Sequence, residues 1–253
     1  MLTTHLISVL VFFTLIYILA LIKKDYSIVD ITWGIGFLVI LVVGQIYLKK
    51  TDLRSIILSL MVLIWALRLS IYLFIRSKGR GEDFRYQKMR DSWGKWANLR
   101  AYFQIFILQG IILLIVSSPI ILILENSYSP IKESDLFAMV IFLIGLTFES
   151  IADLQVRNFK KNPQNKGEIL MEGLWKYSRH PNYFGEFLIW WGIFFLSMAD
   201  GPVFYSLIGP SAITFLLIKV SGVPMLEAKY KGNAEYISYQ KRTNAFFPWF
   251  PKN

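Results

Sequence analysis

Leu2-Thr-Thr-His-Leu-Ile-Ser-Val-Leu-Val-Phe-Phe-Thr-Leu-Ile-Tyr-Ile-Leu-Ala-Leu-Ile22 contains no Asp, Glu, Lys or Arg. A helix that crosses the hydrocarbon core of a bilayer needs about 20 mostly apolar residues, and this run supplies them. No basic residue precedes it and no small-residue cleavage site follows, so it reads as a span and not as a secretory signal. Six further runs of the same kind lie at 28–48, 53–75, 99–124, 135–156, 183–199 and 202–220. Seven such runs in 253 residues leave too little polar surface to solvate a soluble bundle. The expected fold is all-α, a polytopic membrane protein of about seven spans, with residues 1–253 forming one integral domain and 221–253 a tail.

Composition agrees with that reading. Hydrophobic residues make up 55% of the chain and charged residues 17%, against about 25% charged in soluble domains, and the mean hydropathy is +0.48. Disorder, a collagen-like repeat and a charged coiled coil are excluded. The chain has no cysteine and only two histidines, His5 and His180, which removes disulfides, thiolate metal sites, a cysteine nucleophile and a histidine-rich metal centre. No metal is expected.

The net charge of +10 follows topology. Segments 23–27, 76–98, 157–182 and the tail after 220 hold two, seven, six and five Lys or Arg, together 20, against 3 in the alternate segments. Basic residues favour cytoplasmic loops, so the N-terminus is expected outside and the C-terminus in the cytoplasm. Attraction to anionic lipid completes the account of the charge, and no nucleic-acid partner is needed to explain it. No internal repeat or low-complexity tract is visible. Gly222, Pro224, Gly232, Pro248 and Pro251 predict short helices and turns in the tail.

Ionisable groups inside spans point to function. Glu149, Asp153 and Arg157 recur at i, i+4 and i+8 and share one helical stripe, which suits either an internal ion-pair ladder or a site. Arg68, Tyr72 and Arg76 repeat that spacing, and Asp30 opens the second span beside Trp33 and Gly34. Asp30 reads equally well as a first-turn acid.

The densest constellation is Gly173-Leu-Trp-Lys-Tyr-Ser-Arg-His-Pro-Asn-Tyr-Phe-Gly-Glu186. Pro181 suits the first position of a helix, whose N-terminus with Arg179 and His180 makes a seat for an anion such as phosphate. Asn182 and Glu186 then share one face, and Gly185 permits close approach of a helix or a flat ligand. A basic juxtamembrane anchor with an aromatic belt at Trp190 and Trp191 is the plainer reading.

This stretch resembles the C-terminal signature of the steroid 5α-reductase-like family, in particular its bacterial branch. Asp30-Ile-Thr-Trp-Gly34, Trp65-Ala-Leu-Arg-Leu69, Gly81-Glu-Asp-Phe-Arg-Tyr86, Glu149-Ser-Ile-Ala-Asp153 and Ser221-Gly-Val-Pro-Met-Leu-Glu227 extend the resemblance over most of the chain. It implies seven helices around a cavity open to the cytoplasm, where NADPH reduces a carbon–carbon double bond conjugated to a ketone. It further implies that Asp153, Arg157, Arg179, His180, Asn182, Tyr183 and Glu186 hold the cofactor, with Glu227, Tyr236, Tyr239 and Arg242 closing over it. Where the steroid reductases grip the ketone, this chain has Arg68-Leu69 and no His-Tyr pair. The acids left for that task are Asp30 and Tyr72, and the expected substrate is a lipophilic enone that enters from the bilayer.

The same layout also resembles membrane methyltransferases of the isoprenylcysteine carboxyl type, whose ligand is S-adenosylmethionine. The cationic 157–182 loop suits a multiply phosphorylated ligand better than a sulfonium compound, and Asn182 through Glu186 fits the reductase form. A non-enzymatic lipid-binding membrane protein is the third class.

Overall fold

The computed structural model describes residues 1–126, 130–199 and 204–252, and every regular element among them is helical. The chain divides into two compact units, Met1–Ile131 and Lys132–Asn253.

In the first unit, α1 (Leu2–Lys23), α2 (Ile28–Leu48) and α3 (Leu53–Ser77) follow the expected spans closely. α1 and α2 each end on a lysine in the left-handed region, Lys24 at φ 55° and Lys49 at φ 53°, where a cation meets the negative helix end. Asp52 caps α3 by accepting from the Ser55 amide at 3.0 Å. Tyr26, Phe13, Phe37, Trp65 and Phe106 fill the interior, while Leu6, Leu15, Ile46, Leu60 and Ile71 point outward. Large aliphatic side chains on the outside suit a surface that meets lipid.

The expected fourth span, 99–124, is divided differently. The helical run starts at α4 (Phe84–Trp93), turns at Gly94, and continues through α5 (Ala97–Ala101) and a π-helical turn (Tyr102–Ile107) into α6 (Leu108–Val116). A separate α7 (Ser118–Asn126) follows. The break falls beside Pro119, which has no amide proton for the preceding turn.

The second unit is built on α8 (Glu133–Lys161) and α9 (Pro181–Ser197), with α10 (Ile208–Phe215), α11 (Val223–Glu227) and α12 (Ala234–Arg242) completing it. α8 and α9 pack closely because glycines line the seam. A Cβ on Gly185 would lie 2.5 Å from the Glu149 amide nitrogen, and one on Gly145 would lie 2.7 Å from the Gly185 carbonyl. The close approach read from Gly185 is therefore an approach to another helix.

Six helical runs among the described residues are long and apolar enough to cross a bilayer: Leu2–Lys23, Ile28–Leu48, Leu53–Ser77, Phe84–Val116, Glu133–Lys161 and Phe204–Tyr230. The expected span 183–199 corresponds to α9, whose 17 residues reach about 25 Å at 1.5 Å per residue, the short end of the spanning range. α9 buries Gly185, Ile189, Trp190, Ile193 and Leu196. Residues 200–203, including the expected start of the last span, lie outside the described residues. An apolar groove of about 440 Å³ lined by Phe204, Leu207, Ile208, Ser211, Ala212 and Phe215 follows one helical face and carries no charged group.

Candidate functional site

In the second unit the signature stretch folds as a loop held from two sides. Gly173, at φ +60°, brings Leu174 to the Gln155 side chain, whose Oε1 accepts from the Leu174 amide at 3.1 Å. A Cβ at Gly173 would lie 2.3 Å from the Gln155 side-chain amide and displace it, and the left-handed φ favours glycine there. The Trp175 indole donates to the Ala152 carbonyl at 3.2 Å. From the tail side, the Tyr239 hydroxyl donates to the Trp175 carbonyl and the Ser178 hydroxyl to the Phe246 carbonyl at 2.8 Å.

Arg179 and His180 converge on Glu227. The Arg179 Nε donates to Glu227 Oε1 at 2.8 Å, and His180 Nε2 lies 3.2 Å from the same oxygen. Gln240 donates to Glu227 Oε2 at 2.7 Å. Arg179 Nη1 also donates to the Gln240 carbonyl at 3.2 Å and to the Thr243 carbonyl, and its backbone amide donates to Asn244 at 2.9 Å. The expected anion seat thus holds an internal carboxylate and three tail carbonyls.

α9 begins at Pro181 with His180 as its flanking residue, and the His180 ring stacks on Tyr183 at 5.4 Å and 11°. The Asn182 amide donates to Asp153 Oδ1 at 3.4 Å. Trp190 donates its indole N–H to Glu186 Oε1 at 2.9 Å, so that tryptophan orients a buried carboxylate and does more than mark an interface. Two polar atoms in this region, His180 Nδ1 and Asn182 Oδ1, are buried without a hydrogen-bond partner. Buried polar atoms are normally satisfied, and two unmet ones within the first turn of a helix suit a ligand edge.

Of the other expected cofactor residues, Asp153 is buried and Arg157 exposed, and Glu149, the third member of their stripe, is buried, so the stripe on α8 divides between interior and surface. Tyr236 and Tyr239 are buried against Ile169, and burial raises both phenols well above their ordinary value. They stay neutral and act as packing and donor groups. Arg242 is exposed at the end of α12. Sequence reasoning missed Gln240, Ser178 and Thr243. Ser178 stood inside the signature, but nothing in the spacing signalled its reach to Phe246.

The first unit holds a separate polar cluster. Asp30 Oδ2 accepts from Arg85 Nη2 at 2.6 Å and Oδ1 from the Tyr86 hydroxyl at 2.6 Å. Asp83 caps α4 and also binds Arg85 Nε at 2.9 Å. Arg90 pairs with Glu82 at 2.8 Å and lies 3.8 Å over the Tyr26 ring. Asp30 therefore anchors the 81–90 segment to the first turn of α2, and Glu82 ties it to the α1–α2 turn by accepting from the Tyr26 amide at 2.7 Å. Tyr72 sits under the Arg68 guanidinium at 5.5 Å. No group of three or more metal-ligating side chains occurs among the described residues.

The fold, with six helical runs among the described residues long and apolar enough to cross a bilayer, defines a helical integral membrane protein. Within that class the chain belongs to the family described as "Protein of unknown function (DUF1295)", whose model matches residues 16–243. It is 40% identical over 112 residues to a probable O-methyltransferase of Ustilaginoidea virens, covering 44% of this chain and 36% of that protein. It is 30% identical over 160 residues to an uncharacterized protein of Schizosaccharomyces pombe, covering 54% of this chain and 46% of that one. The chain spans less than half the length of these curated relatives. No solved structure matches it.

Proposed function

We propose that the protein is a membrane-embedded reductase that uses NADPH to saturate a carbon–carbon double bond in a lipophilic, steroid-like or isoprenoid enone. The observation that carries the reading is the pair of unmet buried atoms, His180 Nδ1 and Asn182 Oδ1, in the stretch whose form, Asn182 to Glu186, resembles the reductases. A nicotinamide carboxamide needs a donor and an acceptor. Asn182 Oδ1 accepts from its amide, and His180 Nδ1 is the second polar atom offered to that edge. Glu186, fixed by Trp190, and Asp153 flank that edge. Lys160, Lys161, Lys166 and Lys176, all exposed, supply positive charge for the phosphates.

NADPH held there would supply the hydride for the β-carbon. The protein's part is to exclude water and to stabilise negative charge on the enone oxygen while the α-carbon takes a proton. Asp30 and Tyr72 are the proposed acids; both oxygens of Asp30 accept, from Arg85 and Tyr86, and Tyr72 lies at the Arg68 guanidinium. The 20-to-3 division of basic residues supports a cytoplasmic C-terminus and hence access to cytosolic cofactor.

A second reading, an S-adenosylmethionine-dependent methyltransferase, is favoured by the name of the Ustilaginoidea virens relative and by the acidic character of Asp153 and Glu186, which suits a cationic ligand. Thermal unfolding of purified protein with NADPH, NADH or S-adenosylmethionine separates the two. A ligand at one hundred times its Kd adds about 2.7 kcal/mol, so NADPH should raise the midpoint by several degrees and Asn182→Ala should abolish the rise. Stabilisation by S-adenosylmethionine alone would overturn the reductase reading. Stabilisation by none of the three would favour the lipid-binding alternative.

A further inference from the structure

The C-terminal segment displays its aromatic side chains outward. Phe247, Trp249 and Phe250 are 56%, 69% and 75% exposed, whereas Phe246 beside them is 5% exposed. Pro248 and Pro251 interleave them and keep the segment from folding back into a helix. It is nevertheless fixed in place. Phe247 packs edge-on against Phe187 at 5.8 Å, Phe250 against Tyr177 at 5.9 Å, and the Trp249 amide donates to the Tyr177 carbonyl at 2.9 Å. A rigid, exposed aromatic display is unfavourable in water and requires a surface to cover it.

α8 sets the level of that display. Its outward apolar stripe runs through Leu136, Val140, Leu143 and Ile151 and ends at Leu154, after which Arg157, Lys160 and Lys161 are exposed. The change from aliphatic to cationic marks where a span leaves the hydrocarbon. Leu174 is bonded to Gln155 at that level, and Tyr177, three residues on, is bonded to Trp249. The aromatic tip thus stands at the headgroup layer. Lys176, Lys241, Arg242 and Lys252 are exposed around it, and Lys252 is tied to Arg242 by a backbone bond of 2.9 Å.

We propose that residues 246–252 dock into the headgroup layer of an anionic bilayer, Phe247, Trp249 and Phe250 entering the interface while the surrounding cations meet lipid phosphates. Aromatic side chains with one wet and one apolar face favour that layer, and clustered Lys and Arg add attraction to anionic lipid. The dock stands on geometry alone and holds for a reductase and a methyltransferase equally.

The absence of cysteine makes a single-label experiment clean. Lys252→Cys and, as a reference in the exposed turn before α12, Lys231→Cys carry a polarity-sensitive bimane label on the full chain, reconstituted in phosphatidylcholine vesicles with or without phosphatidylglycerol. The label at 252 should be quenched several-fold more by headgroup-level nitroxide lipid than the label at 231, and several-fold less by aqueous iodide. Phosphatidylglycerol should strengthen the difference, and Trp249→Ser with Phe250→Ser should remove it. Equal iodide access at 252 and 231 would overturn the dock. Lipid quenching unaffected by phosphatidylglycerol would overturn the anionic surface as its partner.

Discussion

Removal of the Glu227 carboxylate tests the clasp at the centre of the second unit. Its side chain is 15% exposed and that of Arg179 10%, so both charges are largely withdrawn from water and solvent screening is limited. Glu227→Ala deletes the acceptor of Arg179 at 2.8 Å, of His180 at 3.2 Å and of Gln240 at 2.7 Å. Hydrogen bonds to charged groups contribute about 1.5–3 kcal/mol each. They are not additive, and the carbonyls of Gln240 and Thr243 still hold Arg179. Breaking a buried pair by removing one partner costs about 3–5 kcal/mol, and that is the expected loss. Glu227→Gln keeps an acceptor without the charge and should lose about half as much. Unfolding followed by helical circular dichroism in mixed micelles measures both, and a double-mutant cycle with Arg179→Met isolates the pair, with an expected coupling of about 1.5–3 kcal/mol. A loss below about 0.5 kcal/mol, the level of an ordinary surface substitution, or strict additivity with Arg179→Met would refute the clasp.

Asp30→Asn should destabilise the first unit by about 1.5–3 kcal/mol, since it weakens charge-assisted bonds to Arg85 and Tyr86. Limited trypsin digestion should then cut faster within 78–90, and an unchanged cleavage rate would contradict the anchoring role. Gly185→Ala drives a Cβ to 2.5 Å from the Glu149 backbone and should cost about 1–3 kcal/mol or more by overpacking. Gly81→Ala, with nothing within 4 Å, is the neutral comparison in the same unfolding assay.

Legibility in the sequence followed the range of the physics. Spans α1 to α3 were readable because a bilayer demands a continuous apolar run, a property of neighbouring residues. The division of the fourth span at Pro119 was not read, because the apolar run continues across the proline and hydropathy does not register a missing amide proton. The charged groups were found, but their partners were not. Asp30 reaches Arg85 and Tyr86 across 55 and 56 residues, and Arg179 reaches Glu227 across 48. No periodicity encodes such pairings. The resemblance gathered Arg179, His180, Glu227, Tyr236 and Tyr239 as cofactor residues. The structure joins the first three through Glu227 and places the tyrosines under the loop that carries them.

The clasp also bears on how a cofactor would be recognised. An arginine whose guanidinium already meets a carboxylate and two carbonyls has its charge compensated before any ligand arrives. A phosphate at that guanidinium would have to compete with Glu227, which is attached to the same protein and fixed by Gln240. Removing Glu227 from the pair leaves an uncompensated buried charge, so displacement by a ligand in water is unfavourable. Arg179 then positions the first turn of α9, and under the proposed function recognition would fall to what that turn presents: Asn182 Oδ1, His180 Nδ1 and the flanking carboxylates. Phosphate charge would be met at the exposed lysines of 160–176, where screening by salt is strong. Affinity for NADPH should accordingly fall steeply with ionic strength, whereas binding of S-adenosylmethionine through carboxylates inside the helical seam should not, and a salt series of the thermal titration distinguishes the two ligands by physics independent of their chemistry.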